Sequence, residues 1–97
     1  MSDIKVYYSS VTCDIMTKKR QSHIFLVLDS KKVKYERLDV CSDPDMKIKM
    51  RELAENPNAL PPQIVNGSDY CGNYEAFNEA VECSALMEFL KLPGLKQ

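Results

Sequence analysis

Residues 62–75 read Pro62-Gln63-Ile64-Val65-Asn66-Gly67-Ser68-Asp69-Tyr70-Cys71-Gly72-Asn73-Tyr74-Glu75. Gln63 to Val65 is a short, mostly apolar run suited to a strand, and Asn66-Gly67 is a dipeptide that tolerates the positive φ angles of a tight hairpin turn. Ser68 to Cys71 predicts the returning strand, and Gly72-Asn73 ends it. Upstream, Ile4 to Ser9 is β-branched and aromatic and predicts a buried strand. A helix is expected from about Cys13 to Lys31, with Thr12 as N-cap, Asp14 in the first turn, and Ile15, Ile24, Phe25 and Leu28 on its apolar face. The stretch Thr17 to Ser22 reads as a solvated part of that helix. Lys34 to Val40 alternates as a second strand, with Tyr35, Leu38 and Val40 as inward positions. Asp43-Pro44 is an N-cap followed by proline at the first helical position, opening a helix to about Glu55 that carries Met46, Met50, Leu53 and Ala54. Pro57 stops it. Beyond the hairpin, helices are expected over Tyr74 to about Val81 and over Ser84 to Leu90, the latter with Ser84 as N-cap.

The order is therefore β-α-β-α-β-β-α with a short extra helix. A right-handed crossover makes the first two strands parallel, and the hairpin adds an antiparallel pair. The result is an α/β fold, a four-stranded mixed sheet with helices on both faces, which is the thioredoxin/glutaredoxin architecture. The chain of 97 residues suffices for one such unit, residues 1–92, followed by a short tail over 93–97. Apolar residues make up 44% and charged residues 28%, which excludes a disordered chain. The net charge of −1 argues against non-specific nucleic-acid binding, and no apolar run reaches the length of a membrane span. The N-terminus reads as carrying no secretion signal, so a cytoplasmic location, extending to the nucleus, is expected. Thiols stay reduced there. The four cysteines, 13, 41, 71 and 83, lack the close pairing of a zinc site, so no metal is expected.

Two motifs carry a resemblance. Tyr8-Ser9-Ser10-Val11-Thr12-Cys13-Asp14-Ile15-Met16 stands where glutaredoxins have a strand, a loop and C-P-Y-C, and Pro62-Gln63-Ile64-Val65 with Gly72-Asn73-Tyr74-Glu75 resembles their V-P-Q-[VI]-F and G-G-x-D. Met50-Arg51-Glu52-Leu53-Ala54, Asn56-Pro57, Pro61 to Gly67, Tyr70 to Glu75 and Glu88-Phe89-Leu90-Lys91-Leu92 resemble the SH3-domain-binding glutamic-acid-rich-like family across nearly the whole chain. That resemblance implies a small interaction or regulatory protein, a modulator of glutaredoxin-type redox activity rather than an enzyme. It also implies protein partners, no bound cofactor and, for Pro62, a cis peptide bond. The family's P-L-P-P-Q-I-F ligand segment is here Ala59-Leu60-Pro61-Pro62-Gln63-Ile64-Val65. Ala59 removes the P-x-x-P spacing, Val65 replaces the phenylalanine, and a segment entering a sheet is not an accessible polyproline helix.

Cys13 occupies the position of the glutaredoxin nucleophile. A thiol at a helix start gains thiolate character from free N–H groups. Three residues oppose this. Met16 removes the resolving thiol, Asp14 puts a like charge beside a thiolate, and Ser10 stands where glutaredoxins commonly have a lysine. Pro61, before the expected cis-proline, has no N–H to offer a substrate backbone, and an unpaired partner there costs on the order of 1–3 kcal/mol. The glutathione-like site implied by the resemblance comprises Thr12, Pro61, Pro62, Asn73, Tyr74 and Glu75 around Cys13. Two alternatives follow from it: a monothiol, glutathione-dependent thiol-disulfide oxidoreductase using Cys13, and a glutathione-assisted [2Fe–2S] dimer ligated by Cys13. Cys41, Cys71 and Cys83 read as structural, and His23 as a packed or surface residue. Residues 1–51 hold 11 basic and 7 acidic groups (+4), and residues 52–97 hold 2 and 7 (−5). The chain is expected to be a monomer with a dipolar surface that can orient a partner.

Overall fold

The computed structural model describes residues 4–11 and 14–91. Thr12, Cys13 and the tail lie outside them. The order is β1 (Ile4–Tyr8), α1 (Ile15–Ser30), β2 (Tyr35–Asp39), α2 (Pro44–Ala54), β3 (Gln63–Asn66), β4 (Asp69–Asn73), α3 (Tyr74–Glu82) and α4 (Leu86–Phe89). The sheet order is β2-β1-β3-β4, with β1 parallel to β2 and antiparallel to β3, and β3 antiparallel to β4. This is the mixed sheet that the residue pattern predicts.

The hairpin turn sits one position later than Asn66-Gly67 suggests. Asn66 still pairs with Asp69, the two-residue loop is Gly67-Ser68, and Gly67 takes φ 63°. Asn66 stays in the strand, and its amide donates to the carbonyls of Leu90 and Lys91, at 2.8 and 2.9 Å. The register then steps from Val65↔Tyr70 to Ile64↔Gly72, so Cys71 is the extra residue of a bulge.

Two cores flank the sheet. Ile4, Val6 and Ile64 meet Ile24, Leu28, Phe77, Leu86 and Leu90 on one face, under α1, α3 and α4. Tyr7, Val65 and Val40 meet Met50 and Ala59 on the other, under α2. At the β2 edge, Phe25 stacks on Tyr35 at 5.9 Å, and the Arg37 guanidinium lies 4.0 Å above the Phe25 ring.

Four local expectations are corrected. The N-cap of α1 is Asp14, not Thr12: its carboxylate accepts from the Met16 N–H (3.1 Å) and the Thr17 hydroxyl (2.7 Å), and the helix begins at Ile15. Ile15 is 67% exposed rather than on the apolar face. Gln21, read as solvated, is buried because its amide completes the backbone of Ser9 where β1 ends, accepting from the Ser9 N–H at 2.8 Å and donating to the Ser9 carbonyl at 3.1 Å. Ser84 is not an N-cap. It adopts φ 58°, and the bonds Ser84 N–H to Val81 and Ala85 N–H to Ala80 form a Schellman motif closing α3, so α4 starts at Leu86 without a side-chain cap.

The same motif ends α1 at Lys32 (φ 59°, Val33 N–H to Leu28) and α2 at Glu55 (φ 55°, Asn56 N–H to Arg51). None of these left-handed positions holds a glycine.

Candidate functional site

The register collects the loops at one end of the sheet. Tyr8 pairs with Asp39, Tyr7 with Gln63, and Gln63 with Asn73. The residues after Tyr8, after Asp39, before Gln63 and after Asn73 therefore emerge together. They are the β1–α1 loop, the β2–α2 loop, the Leu60-Pro61-Pro62 segment and the start of α3.

The Pro61–Pro62 peptide bond is cis. Pro62 is buried and Pro61 half-buried. Gln63, Ile64 and Val65 continue inward, all under 10% exposed, and Gln63 is pinned by donating to the Leu60 carbonyl (2.7 Å) and accepting from the Tyr70 hydroxyl (2.6 Å). Of residues 60–65, only Leu60 is exposed, at 67%.

Asn73 caps α3, its side-chain oxygen accepting from the Ala76 N–H at 3.0 Å. Glu75 is exposed. Tyr74 turns toward α1. Its hydroxyl lies 2.9 Å from His23 Nδ1, and the Arg20 guanidinium sits 5.4 Å from its ring centroid. His23 is thus a packed residue, also edge-on to Phe77.

Asp39, not singled out from sequence, and Cys41, read there as structural, belong to the same end. Asp39 accepts from the Ser10 hydroxyl, the Ser10 N–H and the Cys41 N–H, tying the two loops together. The Ser10 hydroxyl is the main reason its carboxyl titrates below the usual range. Cys41 is exposed, with its sulfur 2.9 Å from the Ser9 hydroxyl. The signal was available: adjacent parallel strands end side by side, so the residue ending β2 must stand beside the residue ending β1.

At the start of α1, hydrogen bonds from Thr17, first, and from the Met16 backbone hold the Asp14 carboxyl below its usual pKa. An ionised carboxylate therefore already occupies the helix N-terminus that would otherwise stabilise an anion. At the same end of the sheet stand Val11, Ile15, Met16 and Leu60, exposed at 77, 67, 54 and 67%.

Cys71 is half-buried in the β4 bulge, and burial pushes its thiol up to about 11. At pH 8 that leaves roughly one thiol in a thousand as thiolate, against about a quarter at an ordinary pKa of 8.5. With iodoacetamide at pH 8, Cys71 should react at least ~100-fold more slowly than exposed Cys41 and Cys83. Mass spectrometry of timed samples checks this order, and unfolding in urea should abolish it.

Residues 2–93 match the family model described as SH3-binding, glutamic acid-rich protein. This chain belongs to that family. It is 37% identical to the SH3 domain-binding glutamic acid-rich protein homolog of Drosophila melanogaster, over 92% of this chain and 64% of that protein, so it spans about two thirds of that relative's length. Among solved structures it is similar to the C. albicans actin interacting protein Aip5, with TM-score 0.76 and 24% identity over 92% of this chain and 88% of that one. It is also similar to buckwheat glutaredoxin in complex with glutathione, with TM-score 0.68 and 14% identity over 93% and 77%. These likenesses establish the thioredoxin-like fold of this SH3-binding glutamic-acid-rich family member.

Proposed function

We propose that this chain is a non-enzymatic protein-interaction domain that keeps the glutaredoxin scaffold and uses the loop end of the sheet as its contact surface. The observation that carries the reading is the capping of α1 by Asp14, whose carboxylate takes the Met16 N–H and the Thr17 hydroxyl. A thiolate placed beside it meets a like charge and a helix terminus already engaged. The exposed Val11, Ile15, Met16 and Leu60 support a partner contact at the same end. On this reading no cofactor is needed, any effect on redox enzymes comes through binding, and the protein works in the cytoplasm and nucleus.

The Drosophila relative's name refers to SH3 binding. Transfer of that activity through residues 61–65 is disfavoured here. Pro62 is buried and Gln63 to Val65 are paired into the sheet, so the segment does not offer a free polyproline helix.

The test isolates Cys13 in a chain carrying Cys41→Ser, Cys71→Ser and Cys83→Ser, with folding checked by circular dichroism. Its alkylation rate is measured against pH, with and without glutathione, alongside a deglutathionylation assay of the unmodified chain. An inflection near pH 8.5 and turnover no greater than that of Cys13→Ser are expected. An inflection below about 6.5, with turnover lost in Cys13→Ser, overturns the reading in favour of a monothiol glutathione-dependent oxidoreductase.

A further inference from the structure

The charge asymmetry of the sequence acquires a geometry on the face of the sheet covered by α1 and α3. Both helices start at the loop end and run back along the sheet, because β1 and β4 are each antiparallel to β3 and end together. They lie side by side, joined by His23, Arg20 and Tyr74.

On α1, Ile15, Lys19, Ser22 and Leu26 follow one another at helical spacing along the outer ridge, with Lys18 beside them, and all five are exposed. Over its 16 residues α1 holds three basic side chains and one acid (+2) in a chain whose total is −1. That acid, Asp29, accepts from the Tyr35 hydroxyl at 3.0 Å. On α3, Glu75, Glu79 and Glu82 stand at i, i+4 and i+7, all exposed, as an acidic stripe. Among the described residues, no ion pair engages the side chains of Lys18, Lys19, Glu75 or Glu79.

We propose that this face is self-complementary and that two copies of the chain associate through it, with α1 of each lying on α3 of its partner. A two-fold axis directed along the helices produces this pairing, and it is isologous: the lysines of one copy meet the glutamates of the other twice. The Leu26 side chain and the methylene stems of the lysines and glutamates supply the apolar contact. The face adjoins the loop end, with exposed Ile15 at the border of both, but the pairing itself requires no loop-end partner.

The size of the face sets the strength. The 16-residue α1 is about 24 Å long. With α3 packed about 10 Å away, the face offers roughly 500 Å² per copy, or about 1,000 Å² in the pair. That is at the lower limit for a specific interface, so the dimer is weak, populated at high protein concentration and low salt. Its exposed ion pairs are screened as the Debye length falls to about 10 Å at 0.1 M salt and about 3 Å at 1 M.

The test is a charge swap read by sedimentation velocity on the full chain, with circular dichroism as a folding control and a reductant present to exclude disulfide-linked pairs. At low ionic strength and several hundred micromolar protein, the wild-type chain is expected to shift toward twice the monomer mass, and 1 M salt should reverse the shift. Lys18→Glu with Lys19→Glu, and separately Glu79→Lys with Glu82→Lys, should each remain monomeric under conditions that dimerise the wild type. Mixing the two variants should restore a species of twice the monomer mass, because each now presents what the other's face lacks. A wild-type chain that stays monomeric at low salt overturns the proposal. So does self-association that either charge reversal leaves intact, or a mixture that fails to pair.

Discussion

Phe77→Ala is expected to destabilise the domain by about 3–5 kcal/mol, the usual cost of emptying a buried phenylalanine site. The Phe77 ring is fully buried and is a shared neighbour of three other rings: His23 at 6.1 Å, Tyr74 at 6.3 Å and Phe89 at 6.0 Å between centroids. Its removal therefore loosens α1, the start of α3 and α4 together, and a cavity bounded by elements tied to the sheet cannot collapse freely. A domain of this size has a total stability of roughly 5–15 kcal/mol, so the loss takes a large share of it. At about 4–8 °C per kcal/mol, the thermal midpoint should fall by at least ~12 °C. Urea unfolding with an unchanged slope checks the free energy. Ile48→Ala, at a 54% exposed site on α2, should change it by no more than about 0.5 kcal/mol. A loss below about 1.5 kcal/mol for Phe77→Ala would mean that the aromatic cluster is not the keystone of this face.

Gly72→Ala should cost about 2–4 kcal/mol for two separable reasons. The residue sits at φ +154°, where a side chain is strained. A Cβ there would also lie 2.8 Å from Phe89 Cε1 and 2.9 Å from the Ala76 Cβ. Overpacking of this kind typically costs about 1–3 kcal/mol. Phe89→Leu in the same chain should relieve the ring contact but not the backbone strain. The double mutant should then be less unstable than the sum of the two single changes by roughly 0.5–1.5 kcal/mol, a coupling that chemical denaturation can measure. Full additivity would show that the ring contact contributes nothing, leaving the backbone strain and the Ala76 contact.

Much of this fold is legible where a residue has few conformational alternatives. Asp43-Pro44 opens α2 as expected, because the Asp43 carboxylate accepts from the Asp45 N–H and proline suits the first helical position. The start of α1 is harder to read: Thr12 and Asp14 are both good caps, and only the carboxylate's reach to the Met16 N–H and the Thr17 hydroxyl selects Asp14. Helix ends are hidden for a different reason. Glycine normally marks the left-handed residue that closes a helix, but Lys32, Glu55 and Ser84 do this here, so composition carries no stop signal. In the candidate site, the cis Pro61–Pro62 bond falls where the resemblance implied, while Asn73, read as ending the strand, also caps α3. Thr12 and Cys13 lie outside the described residues.

By itself the sequence determined the element order, the hairpin and hence the mixed sheet, since strand, turn and cap residues act through local geometry. It also determined the absence of a second thiol one turn after Cys13, because Met16 is a matter of identity rather than position. Only the tertiary structure decided that Gln21 is a core residue, that Asp39 and Cys41 join the loop end, and that Glu75, Glu79 and Glu82 lie next to the basic α1. Those facts depend on which elements the sheet register brings side by side. The Asn66-Gly67 dipeptide predicts that a turn forms, but long-range pairing decides that Asn66 remains in the strand to hold the end of α4.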